Sequence, residues 1–175
     1  MIKKIKNLAR NTLNLPLNIP LIIFGTLGAN NSYHKGYDLL MKTLNDIKDD
    51  EHLKNMELVV FGKNTSKPFP KMKFPIHYIG HLDDASLINL YSAADATIVP
   101  SRQEAFCQTA SESHACGTPV VAFNIGGLMD IVEHHKTGYL AKAFDTEDFA
   151  KGIAWVLDAK NKKLLDKQSR VSAVE

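Results

Sequence analysis

Short apolar runs that end in glycine or proline alternate along this chain with stretches of helical periodicity. LIIFG at residues 21 to 25 and ELVVFG at residues 57 to 62 are closed by glycine, and ATIVP at residues 96 to 100 is closed by proline. A strand that is buried on both faces has this unbroken apolar pattern. The pattern therefore predicts strands of a parallel sheet.

Amphipathic helices are predicted between these strands. KGYDLLMKTLNDIK has apolar residues at helical spacing, and DDASLINLYSAA predicts a helix capped by Asp83 or Asp84. The remaining predicted elements are strands at IHYIG, PVVAFN and GYLA and helices from about Cys107 to Cys116, at GLMDIVEH and at DTEDFAKGIAWVLDAK, the last capped by Asp145 or Thr146. The alternation favours an α/β fold in which helices cover both faces of a parallel sheet.

Composition narrows the class of protein. The chain has 175 residues, and 21 Lys and Arg against 19 Asp and Glu leave no charge excess that would indicate nucleic-acid binding. Two cysteines with no second pair indicate reduced thiols rather than a zinc site or a disulfide framework. The longest apolar run falls well short of the roughly 20 residues that span a bilayer, and no secretory signal follows the basic start. We expect a cytoplasmic chain.

The two ends carry weaker core patterns. Residues 1–18 include a basic amphipathic stretch, interpreted either as a membrane-surface helix or, preferably, as a connector from a missing amino-terminal domain or a face that packs on something missing. Residues 19–160 are predicted to form the folded domain, and residues 161–175 a polar tail.

Ligands of parallel α/β sheets bind at the carboxyl ends of the strands. Four residues close predicted strands and are expected on this rim: Gly25, Gly62, Gly80 and Pro100. The loop GTLGANNSYHKG leads from the first strand to a helix that begins near Lys35 and Gly36. Free amides and a lysine suit an anion there. The spacing matches neither a P-loop nor GxGxxG, so this loop alone leaves open whether Lys35 binds phosphate or is solvated.

Two glutamates separated by seven residues flank a predicted helix start in the stretch PSRQEAFCQTASES. Glu104 precedes the helix, and Glu112 lies on its second turn, about 7 to 8 Å along the axis at roughly 1.5 Å per residue. Both carboxylates are expected to face one cleft, where they would accept hydrogen bonds from sugar hydroxyls while the amides of Phe106, Cys107 and Gln108 bind phosphate. Two alternatives stay open, namely unrelated surface acids and a glycosidase pair held about 5 to 5.5 Å or 6.5 to 9.5 Å apart.

The order of motifs from Gly80 to about Ala141 resembles the donor-binding half of the retaining GT-B glycosyltransferases, glycosyltransferase group 1. The motifs are YIGHL, SAADATIVPS, EAFCQTASE with its Glu-x7-Glu signature, GTPVVAF, a glycine pair and IVEHHKTGYL. FGTLGANNSYHKGYDLL resembles the first strand and the Lys-Gly helix start of the same family. The resemblance covers nearly the whole chain and implies a single Rossmann-like domain, one half of a GT-B fold.

The resemblance also implies roles for matching residues. Lys35 would bind the diphosphate of a nucleotide sugar, Glu112 the ribose hydroxyls, and Glu104 the transferred sugar together with the three helix amides. Thr109 would lie near phosphate, and His81 and Leu82 near the base. Lys35 and Glu104 form the catalytic set, and the substrate-binding set is Gly25, Thr26, His81, Leu82, Ser101, Phe106, Cys107, Gln108, Thr109 and Glu112.

Some positions depart from the family pattern. Thr26 stands where many members have an arginine that partners the lysine on the diphosphate, and Arg102 is a candidate to replace it. Cys107 stands where glycine is common, and Ser113 and His114 stand where the family usually has Ala-Met.

The implied activity is transfer of a hexose, with retention, from a UDP-, GDP- or ADP-sugar to a saccharide or lipid-linked acceptor, without a metal or other cofactor. The acceptor would bind a missing amino-terminal domain, so we expect this chain alone to bind donor weakly and to be inactive, and the full-length enzyme to associate peripherally with a membrane. Two alternatives are a non-catalytic nucleotide-sugar binding module and half of a nucleotide-sugar epimerase, with Glu104 as its acid/base group.

Overall fold

The computed structural model describes residues 2–27, 33–47, 50, 53, 55–63, 71, 72 and 74–172. The strands in these ranges are β1 (Leu21–Leu27), β2 (Glu57–Lys63), β3 (Ile76–Gly80), β4 (Ala96–Val99), β5 (Val120–Phe123) and β6 (Gly138–Ala141). The α-helices are α1 (Ile2–Thr12), α2 (Tyr37–Ile47), α3 (Asp84–Ala93), α4 (Gln108–Ala115), α5 (Leu128–Ile131), α6 (Thr146–Leu157) and α7 (Ala159–Ser172), and Tyr33–Lys35 form one 3₁₀ turn.

The strands form one parallel sheet in the order β3-β2-β1-β4-β5-β6. This is the strand order of a Rossmann fold, and the predicted α/β fold is confirmed. The sheet grows outward in one direction from β1 and in the other from β4, and these two strands are neighbours that pair Ile22 with Ala96 and Ile23 with Thr97. The switch point, where such sheets bind ligands, therefore lies at the carboxyl ends of β1 and β4.

Side chains of β1 alternate between two cores. Ile22 and Phe24 pack with buried residues of α2 and α6, whereas Leu21 and Ile23 pack with buried residues of α1 and α3. Because successive side chains of a strand point to opposite faces of the sheet, helices on both sides require an unbroken apolar run.

Helix α1 packs on α3 and buries two of its cations against one carboxylate. Lys6 Nζ donates to Asp95 Oδ1 at 3.0 Å, and Arg10 Nη2 donates to Asp95 Oδ2 at 2.8 Å. Lys162 of α7 pairs with the same carboxylate, and the Leu21 amide donates to it at 2.7 Å. The segments predicted as a connector and as a polar tail thus both pack on the folded unit, because their cations neutralise a buried aspartate.

Asp95 is 1% exposed and stays ionised. Burial by itself would raise the pKa of Asp95, but the charges of Lys6, Lys162 and Arg10 outweigh it and lower this pKa to about 2. Arg10 also donates to the Ala93 carbonyl at 2.9 Å and to three carbonyls of the segment between α1 and β1. One buried network therefore joins α1, α7 and the starts of β1 and β4.

The amphipathic stretch in residues 1–18 was also interpreted as a helix that lies on a membrane surface, which differs from a helix that crosses the membrane. Within the described ranges, no helix has both the length and the apolar character needed to cross one.

Helix α4 turns two polar side chains into the interior. Ser113 Oγ lies 2.7 Å from Thr97 Oγ1 and donates to the Thr118 carbonyl at 2.9 Å. His114 is 2% exposed, and its Nε2 has no hydrogen-bond partner among the described residues. Burial lowers the pKa of His114 to about 4, so the imidazole is neutral at pH 7.

We expect His114→Met to flatten the dependence of stability on pH between about pH 6.5 and pH 4. In this window the unfolded chain protonates His114, whereas the folded chain does so only near its lowered pKa of about 4. The unfolded state therefore binds more protons, and the wild-type free energy of unfolding falls as pH falls, by up to about 3 kcal/mol at roughly 1.36 kcal/mol per pKa unit.

Urea unfolding at pH 7.0, 5.5 and 4.5 measures this slope, with the exposed His81→Met as the matched control. A wild-type slope retained by His114→Met would contradict the assignment.

Candidate functional site

A cavity of about 70 Å³ opens at the carboxyl ends of β1 and β4. The structure brings seven predicted site residues to it: Gly25, Thr26, Lys35, Ser101, Glu104, Cys107 and Thr109. Phe61 and Gly62, at the end of β2, also line the cavity. The residues come together because the two neighbouring strands deliver their following loops to the same edge of the sheet.

An ion pair lies at this cavity. Lys35 Nζ is 2.6 Å from Glu104 Oε1, and Ser101 Oγ donates to the same oxygen at 2.8 Å. The Glu104 side chain is only 9% exposed, whereas that of Lys35 is 39% exposed. Because an ammonium has three N–H donors, Lys35 can keep its bond to Glu104 and still donate to an anion in the cavity.

Backbone contacts place Lys35 opposite Glu104. Gly36, directly after the 3₁₀ turn, has a φ of +65°, and a Cβ at this position would lie 1.8 Å from the Pro100 carbonyl oxygen. The amide of Arg102 donates to the carbonyl of His34 at 2.7 Å. The turn that carries Lys35 is therefore packed directly on the backbone that leaves β4.

The glycine pair after β5 supports the Glu104 loop. The Gly127 amide donates to the Glu104 carbonyl at 2.9 Å. A Cβ at Gly126 would lie 2.2 Å from that carbonyl oxygen, and a Cβ at Gly127 would lie 2.1 Å from the Ala105 carbonyl oxygen. Only residues without a side chain allow the two loops to approach this closely.

Arg102 was a candidate to replace the diphosphate-binding arginine that is missing at Thr26, but its side chain makes other contacts. Its guanidinium donates to both carboxylate oxygens of Asp38 at 2.6 Å and to the Tyr33 carbonyl at 3.0 Å, and it lies 4.2 Å from the centroid of the Tyr33 ring. The hydrogen bond between the pair raises the pKa of Arg102 and lowers that of Asp38. Arg102 is thus paired with α2, and the described lining of the cavity does not include it.

Two positions that depart from the family pattern, Thr26 and Cys107, line the cavity. The hydroxyl of Thr26 donates to the Phe61 carbonyl at 3.1 Å, so this residue bonds to the neighbouring strand and brings no cation. Cys107 is 4% exposed and precedes α4 at the cap position. Burial raises the pKa of the Cys107 thiol, which is therefore neutral at pH 7.

The amino end of α4 faces the cavity, since Cys107 and Thr109 both line it. The first amides of an α-helix have no partner within the helix, and the dipole there is positive. Glu112, on the second turn, is exposed and accepts a hydrogen bond from Tyr91 Oη at 3.0 Å. Tyr91 is buried on α3, and this burial, with the charge of Glu112, raises its pKa.

Five predicted contact residues do not line the cavity as the described residues define it: Glu112 and the four that follow. Phe106 is 65% exposed, and Gln108 and His81 are exposed as well. Leu82 is half-buried and packs on the core between the sheet and helices α1 and α3. The structure therefore places Phe106 and Gln108 at the start of α4, and His81 and Leu82 between β3 and α3.

Sequence reasoning missed Asp38, Phe61 and Tyr91. Tyr91 has core spacing with Leu87 and Leu90, which gave no hint of its bond to Glu112. Asp38 has no local signal, because its partner is 64 residues away. Across the described residues, no three His, Cys, Asp or Glu side chains are grouped so that they could hold one metal ion.

The sequence profile of the family described as "Glycosyl transferases group 1" matches residues 20–171. Among curated proteins, the D-inositol 3-phosphate glycosyltransferase of Xylanimonas cellulosilytica is 34% identical over 148 residues, which are 78% of this chain and 33% of that protein.

Two solved structures share the fold. Sucrose-phosphate synthase from Thermosynechococcus elongatus has a TM-score of 0.78 at 27% identity, covering 95% of this chain and 43% of that chain. Anabaena HepE in complex with UDP-glucose has a TM-score of 0.75 at 19% identity, covering 97% of this chain and 48% of that chain. The chain thus spans less than half the length of each of these three relatives.

Proposed function

Because this chain belongs to the group 1 glycosyl transferases, we propose that it is the part of a larger glycosyltransferase that binds the nucleotide-sugar donor. One observation carries the proposal: Lys35, Ser101 and Glu104 meet at the switch point of the sheet, beside the amino end of α4. A cation and helix amides suit a diphosphate, and a fixed carboxylate suits sugar hydroxyls.

In this proposal the diphosphate binds Lys35 and the first amides of α4, with Thr109 beside it. As the bond to the sugar breaks, negative charge grows on the leaving diphosphate, and the ammonium and the helix end stabilise that charge. Lys35 does not have to release Glu104, since the ammonium has further N–H donors.

Glu104 orients the transferred sugar in this scheme. Two donors, Lys35 and Ser101, hold Oε1 of this carboxylate, so it approaches the sugar in one orientation. Catalysis then comes mainly from positioning and electrostatics rather than from a covalent nucleophile. Glu112 accepts hydrogen bonds from the ribose, and His81 and Leu82 contact the base.

The size of the cavity favours a contribution from a second domain. Pockets for small molecules have volumes of roughly 300 to 1,000 Å³, whereas the cavity here has about 70 Å³. We propose that a further domain covers the donor and binds a saccharide or lipid-linked acceptor. Transfer with retention, and inactivity of this chain alone, belong to the same proposal.

A thermal-shift panel of UDP, GDP, ADP and their sugars tests the donor site. At about ten times Kd, one ligand should stabilise the wild-type chain by about 1.4 kcal/mol, or about 3 to 6 °C. Lys35→Ala and Glu112→Ala should lose most of this shift, and Lys136→Ala, which removes an exposed ion pair with Glu133, should keep it. Absence of any shift at millimolar nucleotide would contradict the donor site, and equal shifts in all variants would contradict the residue roles.

The role of Glu112 has a separate test. A 2′,3′-dideoxy nucleoside diphosphate lacks the hydroxyls that Glu112 is proposed to bind. Wild type should bind it at least about tenfold more weakly than the parent nucleotide, because a hydrogen bond to a charged group is worth about 1.5 to 3 kcal/mol. Glu112→Ala should bind the two nucleotides equally. A preference retained by the variant would assign the ribose to another residue.

A further inference from the structure

We propose that Arg102 is a positioning residue that holds Lys35 where the donor diphosphate binds. The inference rests on the proposed function, because it assigns Arg102 to the support of the same site. Arg102 is absent from the described cavity lining, so its effect on a ligand would pass through the turn that carries Lys35.

The contacts of Arg102 surround this lysine in sequence. Its side chain binds Tyr33 before Lys35 and Asp38 after it, and its backbone amide binds the His34 carbonyl. The bond to Asp38 is bidentate, and a bidentate Arg-carboxylate pair fixes orientation as well as distance. The guanidinium also lies over the Tyr33 ring, which adds a cation-π contact.

The segment of Lys35 is short, and the Arg102 side chain adds to the backbone packing that holds it. Lys35 ends a 3₁₀ turn of three residues, which has no extended hydrogen-bond ladder of its own. The Lys35 side chain is 39% exposed, and a long lysine side chain loses entropy when its ion pair with Glu104 holds it in one position. The Arg102 contacts restrain the backbone on both sides of the lysine.

The charges are consistent with support rather than direct binding. Asp38 neutralises Arg102, so the Arg102–Asp38 ion pair adds no net charge beside the cavity. Lys35 is then the one cation among the described residues that line the cavity. Loss of Arg102 should therefore weaken binding of a diphosphate only to the extent that Lys35 moves.

Calorimetric titration of the whole chain tests this dependence with UDP, GDP and ADP and with uridine, guanosine and adenosine. For the diphosphate that binds wild type, Arg102→Ala should weaken binding about tenfold, the equivalent of one charge-assisted hydrogen bond. The parent nucleoside should bind within about twofold of wild type, since Lys35 contacts only the diphosphate. Asp38→Asn should give the same selective loss, and Lys136→Ala should give none.

A double-mutant cycle separates support from contact. On a Lys35→Ala background, Arg102→Ala should add less than about a twofold further loss, because the residue through which it acts is gone. Arg102→Lys should recover part of the diphosphate affinity, since a lysine can make one of the two bonds to Asp38.

Each other outcome has a definite meaning. If wild type binds no diphosphate, the proposed donor site fails, whatever Arg102 does. If wild type binds but Arg102→Ala and Asp38→Asn bind equally well, the positioning role is overturned. Equal loss of diphosphate and nucleoside also overturns it, because this marks general damage to the fold. Full additivity with Lys35→Ala overturns it in favour of direct contact with the diphosphate.

Discussion

Asp95→Asn will lower the free energy of unfolding by about 3 to 5 kcal/mol, the usual cost of removing one partner from a buried ion pair. Asparagine preserves the shape of the side chain and an oxygen that can accept from the Leu21 amide. It removes the negative charge that now faces Lys6, Arg10 and Lys162. Arg10 is 2% exposed, so its charge cannot be compensated by water without opening the contact between α1 and α3.

Urea unfolding at pH 7 measures this loss, with the exposed Asp130→Asn as the control. Acid provides a second readout, because the pKa of Asp95 is lowered to about 2 in the folded chain. A carboxyl whose pKa is lowered by folding contributes stability above its unfolded pKa of about 3.9 and loses this contribution as pH falls toward the folded pKa. Wild type should therefore lose this part of its stability between about pH 4 and pH 2, and Asp95→Asn should not. A loss at pH 7 below about 1 kcal/mol would show that the pair is solvated.

Gly36→Ala should damage both the fold and the site. Left-handed backbone costs an L-residue roughly 1 to 2 kcal/mol. The added Cβ would also lie 1.8 Å from the Pro100 carbonyl oxygen, a backbone atom that no side-chain rotation can move. We expect a total loss of about 3 kcal/mol, at the upper end of ordinary point mutations. Nucleoside diphosphate affinity should fall as well, because the loops carrying Lys35 and Ser101 must separate.

Gly80 provides a matched control for this substitution. Its φ of +79° is also left-handed, but a Cβ there would meet nothing within 4 Å. Gly80→Ala should cost only the backbone strain, roughly 1 to 2 kcal/mol. Urea unfolding compares the two variants, and calorimetry with UDP, GDP and ADP compares their sites. Equal stability losses and unchanged affinity in Gly36→Ala would mean that the two loops separate without consequence.

The sheet and most helices follow from local signals. The apolar runs of β1 and β4 predicted their burial on both faces, and the structure confirms it. Asp83 accepts from the Ser86 amide at 2.8 Å, and Asp145 accepts from two amides at the start of α6, so both caps act as predicted. Such signals are readable because the interacting groups are neighbours in sequence.

Contacts between distant parts of the chain could not be predicted from such local signals. The sequence assigned no buried partner to the cations of α1, because Asp95 is 85 and 89 residues away from them. The lining of the cavity could be expected from strand ends, yet nothing in the sequence joined Arg102 to Asp38 or Glu112 to Tyr91. A carboxylate that serves as a core ion-pair partner and one that faces a ligand have the same local appearance.

The Asp95 network also sets an order for folding during synthesis. Lys6 and Arg10 can pair with Asp95 once α3 and the start of β4 have been made, but Lys162 is 67 residues beyond Asp95. Closing a loop costs entropy that grows slowly with its length, so the later contact is delayed mainly by translation itself. We therefore expect α1 to dock on the nascent sheet first, and α7 to complete neutralisation of the network only after that.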